Sequence, residues 1–250
     1  MRPRDWDAAS YERVSAPLEA MGRDVLDRLQ LRGDERVLDA GCGTGRVTAA
    51  LVERLPRGEV IAVDGSPAMV DQARERLGDA ADVRVADLLE LELERPVDAI
   101  LSTATFHWIA DHDRLFTRLR ENLVPGGRLA AQCGGQGNVA ELEAAARKVG
   151  EREPFAPALA GWPGPWTFAS PAETEERLRR LGWVDVSTWS FPVRVEPDEP
   201  REYLGTVALG SHLGRLDPGR RDAFIDAVIA ELDEPVVEYV RLNILARRPS

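Results

Sequence analysis

Three aspartates stand at the ends of short strand-type runs: Asp39 after Val37-Leu38, Asp64 after Val60-Ile61-Ala62-Val63, and Asp87 after Val83-Arg84-Val85-Ala86. A carboxylate so placed accepts hydrogen bonds from ribose hydroxyls, an exocyclic amine or an ammonium group. Directly after Asp39 come three alternating glycines, Gly41, Gly43 and Gly45, and then the helix-compatible run Arg46 to Leu51. Glycine is needed where a turn takes positive φ or where a ligand must approach the main chain. The expected arrangement is a buried strand, a tight loop and a helix start, which brings a ligand close to backbone N–H groups. A second polar group, Ser102, Thr103 and His107, leaves a later apolar run.

The spacing narrows the ligand. A dinucleotide loop reads G-x-G-x-x-G, with the pyrophosphate on the loop. Here the pattern is G-x-G-x-G, and Asp39 lies two residues before the first glycine. A carboxylate there disfavours a pyrophosphate, and with it a nicotinamide-dependent oxidoreductase, but suits an ammonium. Asp64 follows the loop at about the 20-residue distance of a ribose-binding acid. S-adenosylmethionine carries a ribose, an adenine and an amino acid tail with an ammonium group.

The elements that position these residues follow from the apolar pattern. Strands are expected near Val37–Ala40, Glu59–Asp64, Asp82–Ala86, Val97–Thr103 and Arg128–Cys133, alternating with helices. Ser66-Pro67 and Ser170-Pro171-Ala172-Glu173 are helix starts, the second a capping box. This order implies right-handed βαβ units and a parallel sheet that binds ligands at the carboxyl ends of its strands. The chain reads as one α/β domain over 1–250, with a doubly wound, mostly parallel sheet. Its core is expected over about 30–137, 168–191 and 233–250, and a helical cap over about 1–30, 138–167 and 192–232. Helices are expected at 138–151, 201–213 and 218–232, and the Trp162–Trp166 segment is a loop.

The 250 residues are 44% hydrophobic, enough for a sizeable core, and carry a net charge of -11. That charge argues against a nucleic-acid partner, which needs clustered Lys and Arg. No signal peptide or membrane-length apolar run is evident. Cys42 and Cys133 have neither metal-ligand nor disulfide spacing, so no metal and a cytoplasmic setting are expected. The sequence is silent on oligomeric state.

The chain resembles the class I S-adenosylmethionine-dependent methyltransferases. The residues are Asp39-Ala40-Gly41-Cys42-Gly43-Thr44-Gly45, Val63 to Met69, Ala86-Asp87-Leu88, and Leu123 to Leu129, in family order. A narrower resemblance, to the trans-aconitate methyltransferase group, rests on Trp6, Tyr11, Ser66 to Met69, Phe106-His107-Trp108-Ile109, Asp111-His112, Leu115-Phe116 and Ala246-Arg247-Arg248. The glycine-rich stretch Gln132 to Asn138, beside the acceptor site, departs from that group's pattern. The resemblance implies a seven-stranded sheet with an antiparallel last strand. It also implies S-adenosylmethionine as cofactor, and S-adenosylhomocysteine as product.

Residue by residue, the resemblance places Asp39, Gly41 and Gly43 at the methionine part. Asp64 with Gly65 falls at the ribose, and Met69, Asp87 and Leu88 at the adenine. Ser102 and Thr103 border the sulfonium side, and Tyr11 closes over the cofactor. His107 is the first candidate on the acceptor side, as a base, a positioning group or a packing residue. His112, His212, Trp162, Trp166, Arg201 and Arg215 are weaker candidates, each with an ordinary structural reading. The expected reaction is methylation of a small molecule, at a carboxylate or hydroxyl oxygen. Methylation at nitrogen or carbon, or cofactor binding without catalysis, are the alternatives.

Overall fold

A computed structural model describes residues 16–250, with side chains from Met21 onward. Seven strands form one sheet in the order β3-β2-β1-β4-β5-β7-β6. They are β1 (Arg36–Ala40), β2 (Glu59–Asp64), β3 (Asp82–Val85), β4 (Val97–Thr103), β5 (Leu123–Gly134), β6 (Val184–Val195) and β7 (Val237–Arg247). The first five run parallel, while β7 inserts antiparallel between β5 and β6. The longer helices are α1 (Ala16–Asp27), α2 (Arg46–Glu53), α3 (Pro67–Leu77), α4 (His112–Glu121), α5 (Ala140–Gly150), α6 (Pro171–Arg180) and α7 (Arg221–Glu231).

The central strands are covered on both faces, which is why Val37-Leu38 of β1 and Val60 to Val63 of β2 are consecutive apolar residues and do not alternate with polar ones. One face packs Leu38, Ile61, Ile100 and Leu129 against Leu115, Phe116 and Leu119 of α4 and Leu178 of α6. The other packs Val37, Val60, Ala99 and Leu101 against Val25, Leu26 and Leu29 from α1 and its end, and Val47 and Leu51 of α2. Each fully buried Leu or Phe contributes about 1.5–3 kcal/mol. The helix starts follow their local signals. Ser66 accepts from the Met69 N–H with Pro67 at the first position, and Ser170 and Glu173 close a reciprocal capping box.

A separate apolar cluster joins α5, α7 and the 200–213 segment to the first half of β7. Here the expected single helix over 201–213 is broken. Short turns at Pro200–Tyr203 and Gly210–Leu213 flank a wide π-type turn at Leu204–Ala208. Gly205, Gly210 and Gly214 weaken continuous helix. Gly205 also approaches α7 closely, since a Cβ there would stand 3.0 Å from Ile225 Cδ1. Strand β6 runs through Pro192 to Val195, and the proline is tolerated because β6 is an edge strand. Among the described residues no helix is long and apolar enough to cross a membrane.

Candidate active site

The order of the sheet reverses between β1 and β4, so a crevice opens at their carboxyl ends, where ligands of such sheets bind. The glycine loop fills this point. Gly41 has φ +92°, and a Cβ there would lie 2.0 Å from Thr105 Oγ1. Gly43 has φ +55° and faces open space, since a Cβ there would meet nothing within 4 Å. Most of the loop's N–H groups turn inward. Gly41 and Cys42 donate to the Val63 carbonyl at 2.8 and 2.9 Å, and Gly45 donates to the Cys42 carbonyl at 3.0 Å. Gly43 donates to Asp64 Oδ2 at 3.0 Å. The expected cradle of free N–H groups is therefore largely replaced by internal bonds, and a phosphate has little to bind. Carboxylates, not amides, mark the crevice.

Asp39 is 1% exposed at the end of β1. Its Oδ2 accepts from Thr48 Oγ1 at 2.7 Å, whereas its buried Oδ1 has no hydrogen-bond partner. Burial, with the nearby Asp64 charge adding to it, pushes its carboxyl up to about 7 despite the Thr48 bond. Asp64 accepts from the Ser66 N–H at 2.9 Å as well as from Gly43, and burial raises its carboxyl too. The Gly65 backbone also bonds Asp64, and since a carboxylate has about four acceptor sites, these three backbone bonds still leave room for a hydroxyl donor. An orphaned buried oxygen on Asp39 and the open approach at Gly43 fit a ligand with an ammonium near the first and a slender chain over the second.

On the far side of β4 a pocket opens, about 460 Å³ including its mouth, lined by Ala104, His107, Trp108, Asn138, Trp166, Tyr239 and Arg241, among others. Ala104 sits at φ +55°, an uncommon conformation for a residue with a side chain. The buried His107 accepts the Gly134 N–H on Nδ1 at 3.1 Å. Arg241 of β7 is 3% exposed, and its Nε donates to Gln132 Oε1 at 3.1 Å. Gln132 in turn donates to Asn243 Oδ1 at 2.9 Å, and Asn243 donates to the Arg241 carbonyl at 3.1 Å. Arg28 of the segment after α1 also donates to Asn243. The Tyr203 and Tyr239 hydroxyls are bonded at 2.7 Å behind this wall.

Residues 37–127 match a family model described as a methyltransferase domain. The chain is 38% identical to a trans-aconitate 2-methyltransferase of Methylobacterium nodulans, over 98% of either protein. It is 31% identical to that of Methylobacterium radiotolerans, over 98% of this chain and 99% of the relative. The chain belongs to the trans-aconitate 2-methyltransferase family. It is an S-adenosylmethionine-dependent methyltransferase. Its fold is shared with phosphoethanolamine N-methyltransferase 2 of Haemonchus contortus, solved with phosphomonomethylethanolamine and S-adenosylhomocysteine. The TM-score is 0.66 at 20% identity, over 97% of this chain and 57% of that one.

In this methyltransferase the fold brings Asp39, Gly41, Gly43, Asp64, Gly65, Ser102 and Thr103 to one end of the sheet. Ser102 is buried and donates to the Ala40 carbonyl at 2.6 Å, so its hydroxyl joins β4 to β1. Met69 is buried in α3. Asp87 is exposed and caps its own turn through the Leu89 N–H at 2.9 Å, while Leu88 is buried in the main core cluster. Tyr11 and Trp6 lie outside the described residues.

The weaker acceptor candidates separate cleanly. Trp166 lines the pocket, whereas Trp162 packs on His212 at 4.9 Å and under Arg215 at 4.8 Å. His212 is buried among Trp162, Trp166 and Phe224. Arg201 pairs with Asp222 and Asp226 on the surface. His112 starts α4, bonded to the Phe106 carbonyl at 3.0 Å. Burial pushes both thiols up, Cys133 to about 12, so neither is a nucleophile at neutral pH. Sequence reasoning missed Arg241 and Tyr239, while Asn138 closes the glycine-rich stretch expected beside the acceptor site. One signal was available: Tyr239, Arg241 and Asn243 recur at every second residue, one polar face of an otherwise apolar strand.

Proposed function

We propose that this methyltransferase acts on a carboxylate oxygen of a small acid, trans-aconitate being the acceptor for which its relatives are named. The observation that carries this reading is Arg241, a guanidinium buried in the wall of an otherwise largely aromatic and apolar pocket. A guanidinium matches a carboxylate in shape and charge, and such a bond contributes about 1.5–3 kcal/mol. Asp39, Asp64 and the approach at Gly43 would hold S-adenosylmethionine. When bound, it supplies an already activated methyl group, whose transfer to a carboxylate oxygen forms a C–O bond, breaks a C–S bond and releases no proton.

The protein's work is then to orient the acid and exclude water. Trp108 and Trp166 supply dry walls, 6.0 Å apart, and Phe168 supports them by stacking on Trp166 at 5.6 Å. A carboxylate is ionised at neutral pH and needs no base. The setting we read as cytoplasmic, from the two buried free thiols. The reading is tested by offering the enzyme S-adenosylmethionine with trans-aconitate, other di- and tricarboxylates, and matched alcohols and amines. Base-labile methyl esters are expected by mass spectrometry. Methylation confined to alcohols or amines overturns the carboxylate assignment.

A further inference from the structure

We propose that His107 is a second acceptor-binding group, a neutral imidazole locked in one tautomer that donates its Nε2–H to the acceptor carboxylate beside Arg241. This rests on the carboxylate reading above. The lock is geometric. Gly134 ends β5, and its N–H points at Nδ1 from 3.1 Å. A hydrogen on Nδ1 would set two donors head to head, so Nδ1 is the acceptor and the ring's hydrogen is on Nε2.

The surroundings keep the ring from swinging away. The His107 carbonyl accepts from the Thr167 N–H at 2.9 Å. The ring lies 5.1 Å from Trp108 and 5.9 Å from Phe168. A Cβ on Gly134 would stand 2.7 Å from Phe168 Cε1 and 2.8 Å from Asn138 Nδ2, so the strand end is packed tightly around the bond. With the Nδ1 edge turned to β5, the ring's other polar edge is the one it offers to the pocket it lines.

The ionisable groups that act on the ring are Arg241 on β7 and His112 on α4, while Cys133 on β5 interacts with the His107 backbone. Burial first, then the charges of Arg241 and His112, hold the imidazole down to about 3, so it is neutral at neutral pH. An Nε2 that already carries its hydrogen cannot take another. His107 is thereby a donor and not a general base, which suits an acceptor that has no proton to lose.

The test has two parts. The first is substrate-independent: nitrogen-15 NMR of imidazole-labelled enzyme, with and without S-adenosylhomocysteine. Protonated Nε2 and bare Nδ1 are expected from pH 6 to 9, and the reverse tautomer or a titration in that range overturns the proposal. The second compares His107→Gln, whose amide can return a donor near Nε2, with His107→Leu, which returns none. On the acid identified by the substrate panel, His107→Leu should raise KM about tenfold or more, as for loss of a hydrogen bond to a charged group. His107→Gln should recover most of that, with a flat pH profile at saturating S-adenosylmethionine and unchanged S-adenosylhomocysteine affinity. Equal loss in both variants with cofactor affinity retained, or a wild-type rate at saturating S-adenosylmethionine that rises through an ionisation near neutrality, overturns it. Should the panel find no carboxylic acid methylated, the carboxylate reading and the donor's assigned target fall together, while the NMR result still decides the tautomer.

Discussion

Asp39 lends itself to a direct test, because its burial makes the donor site costly to keep ready. The carboxyl moves from an ordinary 3.8 to about 7 in the folded protein. A raised acid binds its proton in the folded state where the unfolded chain has lost it. The stability it contributes is complete below pH 3.8 and is lost as pH rises through about 7. Each pH unit in that window removes at most about 1.4 kcal/mol. From pH 5 to 7 the loss is about 1–3 kcal/mol once relaxation around the buried charge is allowed for. A chain of this size shifts by about 2–4 °C per kcal/mol, so the midpoint falls by about 2–12 °C. Asp39→Asn is the reference, since it keeps an acceptor for Thr48 but cannot ionise. The difference in midpoint between Asp39→Asn and wild type should grow from pH 5 to 7 and level off above. The same ionisation should serve the ligand's ammonium. S-adenosylhomocysteine affinity by calorimetry should therefore rise with pH below about 7 in wild type and stay flat in Asp39→Asn. Parallel melting curves together with a pH-independent wild-type affinity would refute the reasoning.

Other outcomes follow from single contacts. Asp64→Ala strands the Gly43 and Ser66 N–H groups as well as the ribose hydroxyls, so it should cost about 1–3 kcal/mol of apo stability. It should also weaken S-adenosylhomocysteine about 5- to 150-fold. A cofactor-induced melting shift equal to that of wild type would remove Asp64 from the ribose site. Arg241→Met should raise acceptor KM about 10- to 150-fold with S-adenosylhomocysteine affinity unchanged in calorimetry. An unaltered acceptor KM would place the anion elsewhere. Gly41→Ala forces a Cβ to 2.0 Å from Thr105 Oγ1 at φ +92°, and should lower stability by about 2 kcal/mol or more in chemical denaturation. Changing Thr105 to Gly as well should restore only part, because the backbone strain remains.

Local signals carried far in this chain. The helix starts at Ser66 and Ser170 and the strands carrying Asp39 and Asp64 near their ends depend on neighbours within a few residues, and they stand where the patterns place them. Where contacts come from distant segments, the patterns stop short. The 201–213 helix breaks because Gly205 must admit Ile225 of α7, a partner that helix periodicity does not encode. Thr48 of α2 bonds Asp39 of β1, and the Gly43 N–H bonds Asp64 at the end of β2, so groups expected to face a ligand are partly engaged within the protein.

Sequence by itself determined the methyl donor. The groups proposed to recognise it are short motifs in which glycine supplies the turn and an adjacent carboxylate supplies the charge, and both are legible within a dozen residues. Only the tertiary structure decided the acceptor side. Arg241 comes near His107 because β7 inserts antiparallel beside β5, which lays Arg241 against Gly134, and because Gly134 then meets Nδ1 of a residue that follows β4. Sheet insertion is a long-range event, and its register places side chains together that no local spacing connects.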